Sequence, residues 1–99
     1  MKVSVYFCSE PDAELLLKKD RLGRQALETM YELVWEHEFK NLIPIGKLWL
    51  KLDGSTAPFG IPLKEGRSHQ TIAPGDMILV GGASYMVMEV GVRRIELQA

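Results

Sequence analysis

Residues 69–91, HQTIAPGDMILVGGASYMVMEVG, enclose an apolar run between two turn signals. Pro74-Gly75 fits the central positions of a type II turn, because proline presets φ at the first position and glycine accepts a positive φ at the second. Met77–Val80 then has the composition of a strand, and Gly81-Gly82 that of a tight hairpin turn. We therefore predict a β-hairpin whose returning strand covers residues 85–90.

The two ends of the chain also have the character of strands. Val3, Val5 and Phe7 alternate with more polar neighbours, which is the period of a half-buried strand. Gly91 permits a bend after the hairpin, and we predict a last strand over residues 92–97.

Residues 47–52, KLWLKL, alternate in the middle of the chain. The three leucines fall on one side of an extended backbone, and Lys47, Trp49 and Lys51 fall on the other. The Asp-Gly pair that follows is a turn signal. This pattern predicts a further half-buried strand.

The clearest helical pattern covers residues 24–39. Its apolar residues at helical spacing are Leu27, Met30, Tyr31 and Val34. A row of glutamates falls on another face, so one side is predicted to pack and the other to meet solvent. Trp35 lies at the border of the two faces, which indicates the rim of the core rather than a platform for a ligand.

Together these elements predict a single α+β domain over residues 1–99, with the order β-α(α)-β-β-β-β. The first helix of that order is a short one over residues 13–17, for which Asp12 is a suitable N-cap. The main helix is expected to pack on a bent, largely antiparallel sheet with the C-terminal hairpin at its centre. A chain of 99 residues with 46% apolar and 25% charged residues has the composition of a globular domain.

The overall charge gives little indication of a partner. A formal charge of −1 and a pI near 6.1 produce no strong field toward nucleic acid. Cys8 is the only cysteine, so an internal disulfide is excluded and a cytoplasmic setting is the default. Carboxylates near the N-terminus argue against a signal peptide, and no apolar stretch approaches membrane-spanning length.

The residues available for chemistry are few. His37, His69 and Cys8 do not stand at metal-ligand spacing, and zinc needs four well-placed ligands or three and a water. The sequence contains no phosphate-binding glycine loop and no nucleophile elbow. We therefore expect no metal, no cofactor and no catalytic residue. The weakest of our functional alternatives is an enzyme that uses His69 with three loop neighbours, Glu65, Arg67 and Ser68.

Residues 53–70 form the main predicted loop, with three glycines, two prolines and several hydroxyl side chains. Loops of this length in a small domain are often functional. We therefore predict that a protein partner binds this loop and the adjacent strand edges, with Arg67 and His69 as candidate contact residues.

A nucleic-acid-binding module is the alternative from another class. Trp49 between Lys47 and Lys51 could stack a base and hold phosphates, and Arg93 and Arg94 would add positive charge from the last strand. This alternative requires the two basic strands to lie side by side. The competing interpretation is that Trp49 is covered and that the lysines protect an edge strand.

The C-terminal features follow one another in a specific order. They are Thr71-Ile72, Gly75-Asp76, the strand at 77–80, Gly81-Gly82, the strand at 85–90, and Gly91 with Ile95. This order resembles the C-terminal segment of small YodL-like and related proteins carried by plasmids, phages and integrated elements. The resemblance implies an accessory protein that binds a host or element component, with no cofactor and no catalytic residues to carry over.

Our leading expectation is thus a small, cytoplasmic, non-enzymatic interaction protein with an unknown protein partner. An open strand edge in so small a sheet also invites pairing with a second copy, which keeps a homodimer as an alternative to a monomer.

Overall fold

The fold was analysed in a computed structural model that describes residues 1–8, 31–67 and 69–95. In these residues the strands are β1 (Lys2–Cys8), β2 (Tyr31–Glu38), β3 (Met77–Val80), β4 (Ala83–Val87) and β5 (Val92–Ile95). The helix α1 covers Ile45–Leu52, and a 3-10 turn covers Pro58–Gly60. The strands form one antiparallel sheet in the order β2-β1-β3-β4-β5, which confirms the α+β class.

The predicted hairpin is present at the expected place. Asp76 N–H donates to the Ala73 carbonyl at 3.0 Å across Pro74-Gly75, and Gly75 has φ 96°, as a type II turn requires. β3 and β4 are joined by a two-residue loop in which Gly81 has φ 59°. β4 begins and ends earlier than predicted, at Ala83–Val87, and β3 is the central strand of the sheet.

The predicted helix over 24–39 is wrong for residues 31–38, which form strand β2; residues 24–30 lie outside the described part of the chain, as does the short helix predicted at 13–17. The cause is a β-bulge. Val5 pairs with Trp35 and Tyr6 with Leu33, so that Val34 is an extra residue on β2. Tyr31, Val34 and Trp35 are all buried, and their spacing of three and four residues imitates a helix.

The predicted strand over 47–52 is also wrong, because these residues belong to α1. Leu48 and Leu52, four residues apart, are buried, whereas Leu50 between them is 75% exposed. Ile45 and Trp49 complete the apolar side of the helix, and both pack against the core. The alternating leucines therefore fit a strand pattern, although the residues that carry them are helical.

The two faces of the sheet carry different apolar clusters. The face that holds Val3, Val5 and Phe7 is covered by α1 and by the loop residues Leu63 and Ile72. The other cluster consists of Tyr31, Met77, Met86 and Ile95. The hairpin residues Met77 and Met86 are fully buried in this second cluster.

Candidate functional site

The predicted site residues lie on α1, on β5 and in the main loop. Lys47 and Lys51 are exposed on α1, and Trp49 beside them is partly buried against the core. Arg93 and Arg94 are exposed on β5, an edge strand whose partner in the described sheet is β4. The arrangement of two adjacent basic strands that the nucleic-acid alternative required is therefore not formed.

Arg67 forms two hydrogen bonds within the main loop. Its Nε donates to the Gln70 carbonyl and its guanidinium Nη1 donates to the Lys64 carbonyl, both at 3.0 Å. These bonds span three residues in each direction along the chain. Arg67 thus has a role in shaping the loop, whereas the sequence analysis considered it as a partner contact and as a member of the enzyme alternative.

His69 lies at the end of the sheet, where the main loop meets β1. Its Nε2 is 2.5 Å from Oδ2 of Asp76, and its ring stacks on Phe7 with centroids 4.1 Å apart and planes 7° apart. The His69 side chain is 29% exposed, whereas that of Asp76 is 1% exposed. The imidazole thus connects a buried carboxylate with the protein surface.

Asp76 is the residue that organises this end of the sheet. Its Oδ1 accepts a hydrogen bond from Cys8 N–H and its Oδ2 accepts one from Ala73 N–H, both at 2.8 Å. Burial raises the pKa of the Asp76 carboxyl above its ordinary value, although the hydrogen bonds from Cys8, His69 and Ala73 oppose the shift. The sequence presented this aspartate only as part of a turn, so its role was missed.

Tyr31 supports the same turn from the other face of the sheet. Its hydroxyl donates to the Gly75 carbonyl at 2.8 Å in a buried setting. Burial, followed by the proximity of Cys8 and Asp76, raises the pKa of the Tyr31 phenol. We refer to Phe7, Tyr31, His69 and Asp76 as the sheet-end cluster.

The sheet-end cluster contains a carboxyl, an imidazole and a phenol, which are groups that bind and release protons. Cys8 packs with the cluster that contains Tyr31, and Phe7, on which His69 stacks, belongs to the opposite face of β1. The Cys8 thiol and the His69 imidazole thus pack on opposite faces of β1. Ser68, the hydroxyl proposed for an enzyme, lies outside the described residues.

A second region combines the main loop with β2 in a group of aromatic rings. The Phe39 ring lies 4.6 Å from His37 and 5.0 Å from Phe59, edge to face in both contacts. Trp35, buried beneath them, has its centroid 6.1 Å from that of Phe59. We call His37, Phe39 and Phe59 the aromatic surface.

Phe59 has an unusual backbone conformation for a side chain of its size. It has φ 55° and ψ 25°, in the left-handed region, and its residue surface is 40% exposed. Such a conformation costs an L-residue about 1 kcal/mol or more. Sequence reasoning missed Phe59, because the signal was an aromatic residue between Pro58 and Gly60, which reads as turn composition alone.

The main loop is fastened to β2 by two hydrogen bonds. Trp35 Nε1 donates to the Ile61 carbonyl at 3.0 Å, and Lys64 N–H donates to the Val34 carbonyl at 2.8 Å. The acceptor Val34 is the bulge residue of this edge strand. The loop and an adjacent strand edge, which the sequence analysis named together, are thus held together in the fold.

No family model, curated protein or solved structure matches this chain. Among the residues that the structure describes, no group of three or more histidine, cysteine, aspartate or glutamate side chains could hold a metal ion. In the same residues, no helix is long and apolar enough to cross a membrane.

Proposed function

We propose that this chain is a small non-enzymatic interaction protein and that its protein partner binds the aromatic surface. The observation that carries the proposal is Phe59, whose ring is held at the surface by a left-handed backbone conformation. Strain of this kind tends to persist where the surrounding structure keeps it for a function.

The neighbouring residues support this interpretation of Phe59. Gly54 and Gly60 adopt positive φ in the same loop, at 69° and 79°, with the residue type that makes this conformation easy. At position 59 the chain instead has phenylalanine. The strained backbone does not bury the ring, since the residue is 40% exposed. A purely structural turn would be formed more easily with glycine.

The rings that surround Phe59 favour a protein partner. Phe39 contacts both His37 and Phe59. Phe39 and Phe59 also rest on the buried Trp35, whose indole is fixed by its hydrogen bond to the Ile61 carbonyl. Aromatic rings supply large contact areas with few rotatable bonds, which is why they dominate the energetics of protein interfaces. The aromatic surface therefore requires little ordering before it binds.

The narrower part of the proposal concerns the biological setting. The C-terminal resemblance to YodL-like proteins supports a cytoplasmic accessory protein of a plasmid, phage or integrated element, with a host or element protein as partner. The resemblance lies in turn and strand residues, so it gives no contact residue of its own.

The test is affinity capture with three forms of the full chain. Phe59→Gly removes the ring and relieves the left-handed backbone, so this variant is expected to fold. Val90→Ser is the matched control, because Val90 is a 93% exposed apolar residue on a different turn. A partner retained by the wild type and by Val90→Ser, and lost with Phe59→Gly, is the expected result.

Equal retention by all three forms would overturn the aromatic surface as the binding site. The capture is repeated after nuclease treatment and at raised salt concentration. Retention that disappears under those conditions but is unaffected by Phe59→Gly would favour the nucleic-acid alternative, with Arg93 and Arg94 as its contacts.

A further inference from the structure

We propose that the outer edge of β2 binds an extended segment of the partner protein, which pairs antiparallel with residues 36–38 and alternates basic with apolar side chains. This inference rests on the proposed function, because the added strand lies beside the aromatic surface. It names the class of ligand, a peptide segment that is held through its backbone and selected by its alternate side chains.

The peptide groups that face this edge follow from the hydrogen bonds between β1 and β2. Phe39 N–H donates to the Met1 carbonyl at 2.7 Å, and the terminal amine donates to the Phe39 carbonyl at 2.6 Å. Bonded and non-bonded pairs alternate along an antiparallel ladder. His37, two residues before Phe39, is therefore bonded to β1. The N–H and C=O groups of Glu36 and Glu38 consequently point away from β1.

A hydrogen bond on the other side of β1 supports this assignment. Gly81 N–H donates to the Lys2 carbonyl at 2.9 Å, so the peptide group of Lys2 faces β3. Lys2 is the β1 residue paired with Glu38, which is therefore a non-bonded pair. β2 is the outermost strand on this side of the described sheet. Its outer edge thus presents the donors and acceptors of Glu36 and Glu38 at the spacing of a strand.

The main loop already makes one strand-type contact with this edge. Lys64 N–H donates to the carbonyl of the bulge residue Val34 at 2.8 Å. The next outward-facing residues, Glu36 and Glu38, are exposed. An added strand at these residues therefore lies next to the main loop, which carries Phe59.

The side chains of β2 define the chemistry of the segment. Trp35, His37 and Phe39 are alternate residues on one face, with ring centroids 6.1 Å apart for the first two and 4.6 Å apart for the last two. A residue opposite His37 projects from this same face, so an apolar side chain is favoured there. Residues opposite Glu36 and Glu38 project beside exposed carboxylates, so lysine or arginine is favoured at those positions.

The two carboxylates have cations of their own chain nearby. Lys2 Nζ is 3.4 Å from Glu36, and the terminal amine is 3.2 Å from Glu38. Both carboxylates are exposed, and ion pairs of exposed groups contribute little. A basic segment can therefore compete for them.

A second copy of this chain fits the edge less well. Two β2 strands paired antiparallel about His37 place Glu36 of one copy opposite Glu38 of the other. Like charges at directly opposed positions destabilise a strand pair. The charges of the edge therefore favour a basic segment of a different protein.

The first experiment titrates the full chain with synthetic peptides and follows its backbone amides by NMR. A short peptide of alternating lysine and valine should shift the Glu36 and Glu38 amides at about millimolar concentration. Methylating the lysine backbone nitrogens, which face β2 in this pairing, should weaken binding about tenfold or more. Methylating the valine nitrogens, which face away, is the matched control and should preserve binding. Glutamate in place of lysine should weaken it about three- to tenfold.

The second experiment separates this inference from the proposed function. Glu38→Pro removes an outward N–H and no ladder bond, a change that edge strands tolerate. Glu38→Ala is its control, because it removes the carboxylate and keeps the N–H. In the affinity capture, the partner that depends on Phe59 should be lost with Glu38→Pro and retained by Glu38→Ala.

A partner that is lost with Phe59→Gly but retained equally by Glu38→Pro and Glu38→Ala would overturn strand addition and leave the aromatic surface as the binding site. The peptides decide the question even if Glu38→Pro fails to fold. Equal affinity of the two methylated peptides, no amide shift at residues 36–38, or tighter binding of the glutamate peptide would each overturn the proposal.

Discussion

The side chain of Asp76 accepts a hydrogen bond from the backbone N–H of Cys8, 68 residues earlier in the chain, at 2.8 Å. Tyr6 and Met77 are the last pair of the β1–β3 ladder, and the bond joins Cys8, two residues after Tyr6, to Asp76, one residue before Met77. The carboxylate therefore provides an acceptor for a β1 amide at the point where the backbone pairing of β1 with β3 ends. On the other side, the peptide carbonyl of Asp76 accepts a hydrogen bond from Val87 N–H of β4. Asp76 connects three strands of the sheet.

Asp76→Asn should lower the free energy of unfolding by about 1–3 kcal/mol, because the amide has only one acceptor oxygen for two buried backbone donors and loses the charge that pairs with His69. Urea unfolding at pH 7 measures the loss. The control is Asp53→Asn, which changes an exposed carboxylate at the end of α1 and should alter stability by less than about 0.5 kcal/mol. Equal effects of the two variants would contradict the role assigned to Asp76.

The pH dependence of stability should report the same carboxylate. Because the pKa of Asp76 is raised by burial, the folded state keeps the proton to a higher pH than the unfolded state, whose value is near 3.8. The folded state then binds more protons just above pH 3.8, so this group's contribution to stability falls as the pH rises through that window.

Urea unfolding of the wild type and Asp76→Asn between pH 3 and 6 isolates this contribution, because the other carboxylates are common to both proteins. The advantage of the wild type should shrink as the pH rises from 3.8 toward the folded-state pKa and then remain constant. An advantage that grows over the same window would show that the hydrogen bonds to the carboxylate outweigh its burial.

Tyr31→Phe should destabilise the fold by about 1 kcal/mol at pH 7, since the Gly75 carbonyl loses a buried donor. The raised pKa of Tyr31 adds a second effect. Above about pH 10 the unfolded state releases the phenolic proton while the folded state retains it, so the wild type loses stability there and Tyr31→Phe loses less. Unfolding measured at pH 7 and pH 10.5, with Tyr85→Phe as the control, would separate the two effects. A parallel loss in both variants would contradict the second.

The hairpin could be predicted because its information is local. Pro74-Gly75 and Gly81-Gly82 impose backbone conformations that hardly depend on the rest of the chain. Residues 31–38 and 47–52 could not be assigned in the same way. A short apolar pattern is compatible with more than one period, and the choice was made by a bulge in one case and by contacts of Ile45 and Trp49 with the core in the other.

The same difference between local and non-local information applies to the candidate sites. His69 was identified because a histidine in a long loop is visible in sequence, but its partner Asp76 was not, since the donors of Asp76 include a residue at the far end of the chain. Phe59 was missed because a positive φ in a non-glycine residue leaves no mark on the sequence. In both cases the missing information was a non-local contact or a backbone angle.

The two hairpin glycines should respond differently to alanine. Gly81 has φ 59°, so Gly81→Ala forces an L-residue into the left-handed region and should destabilise the fold by about 1 kcal/mol. Gly82 does not share the positive φ, and a Cβ there meets no atom within 4 Å. Gly82→Ala should therefore be neutral or slightly stabilising, because alanine restricts the unfolded chain. Thermal unfolding of the two variants tests this ranking directly, and a greater loss in Gly82→Ala would show that the turn differs from the one described.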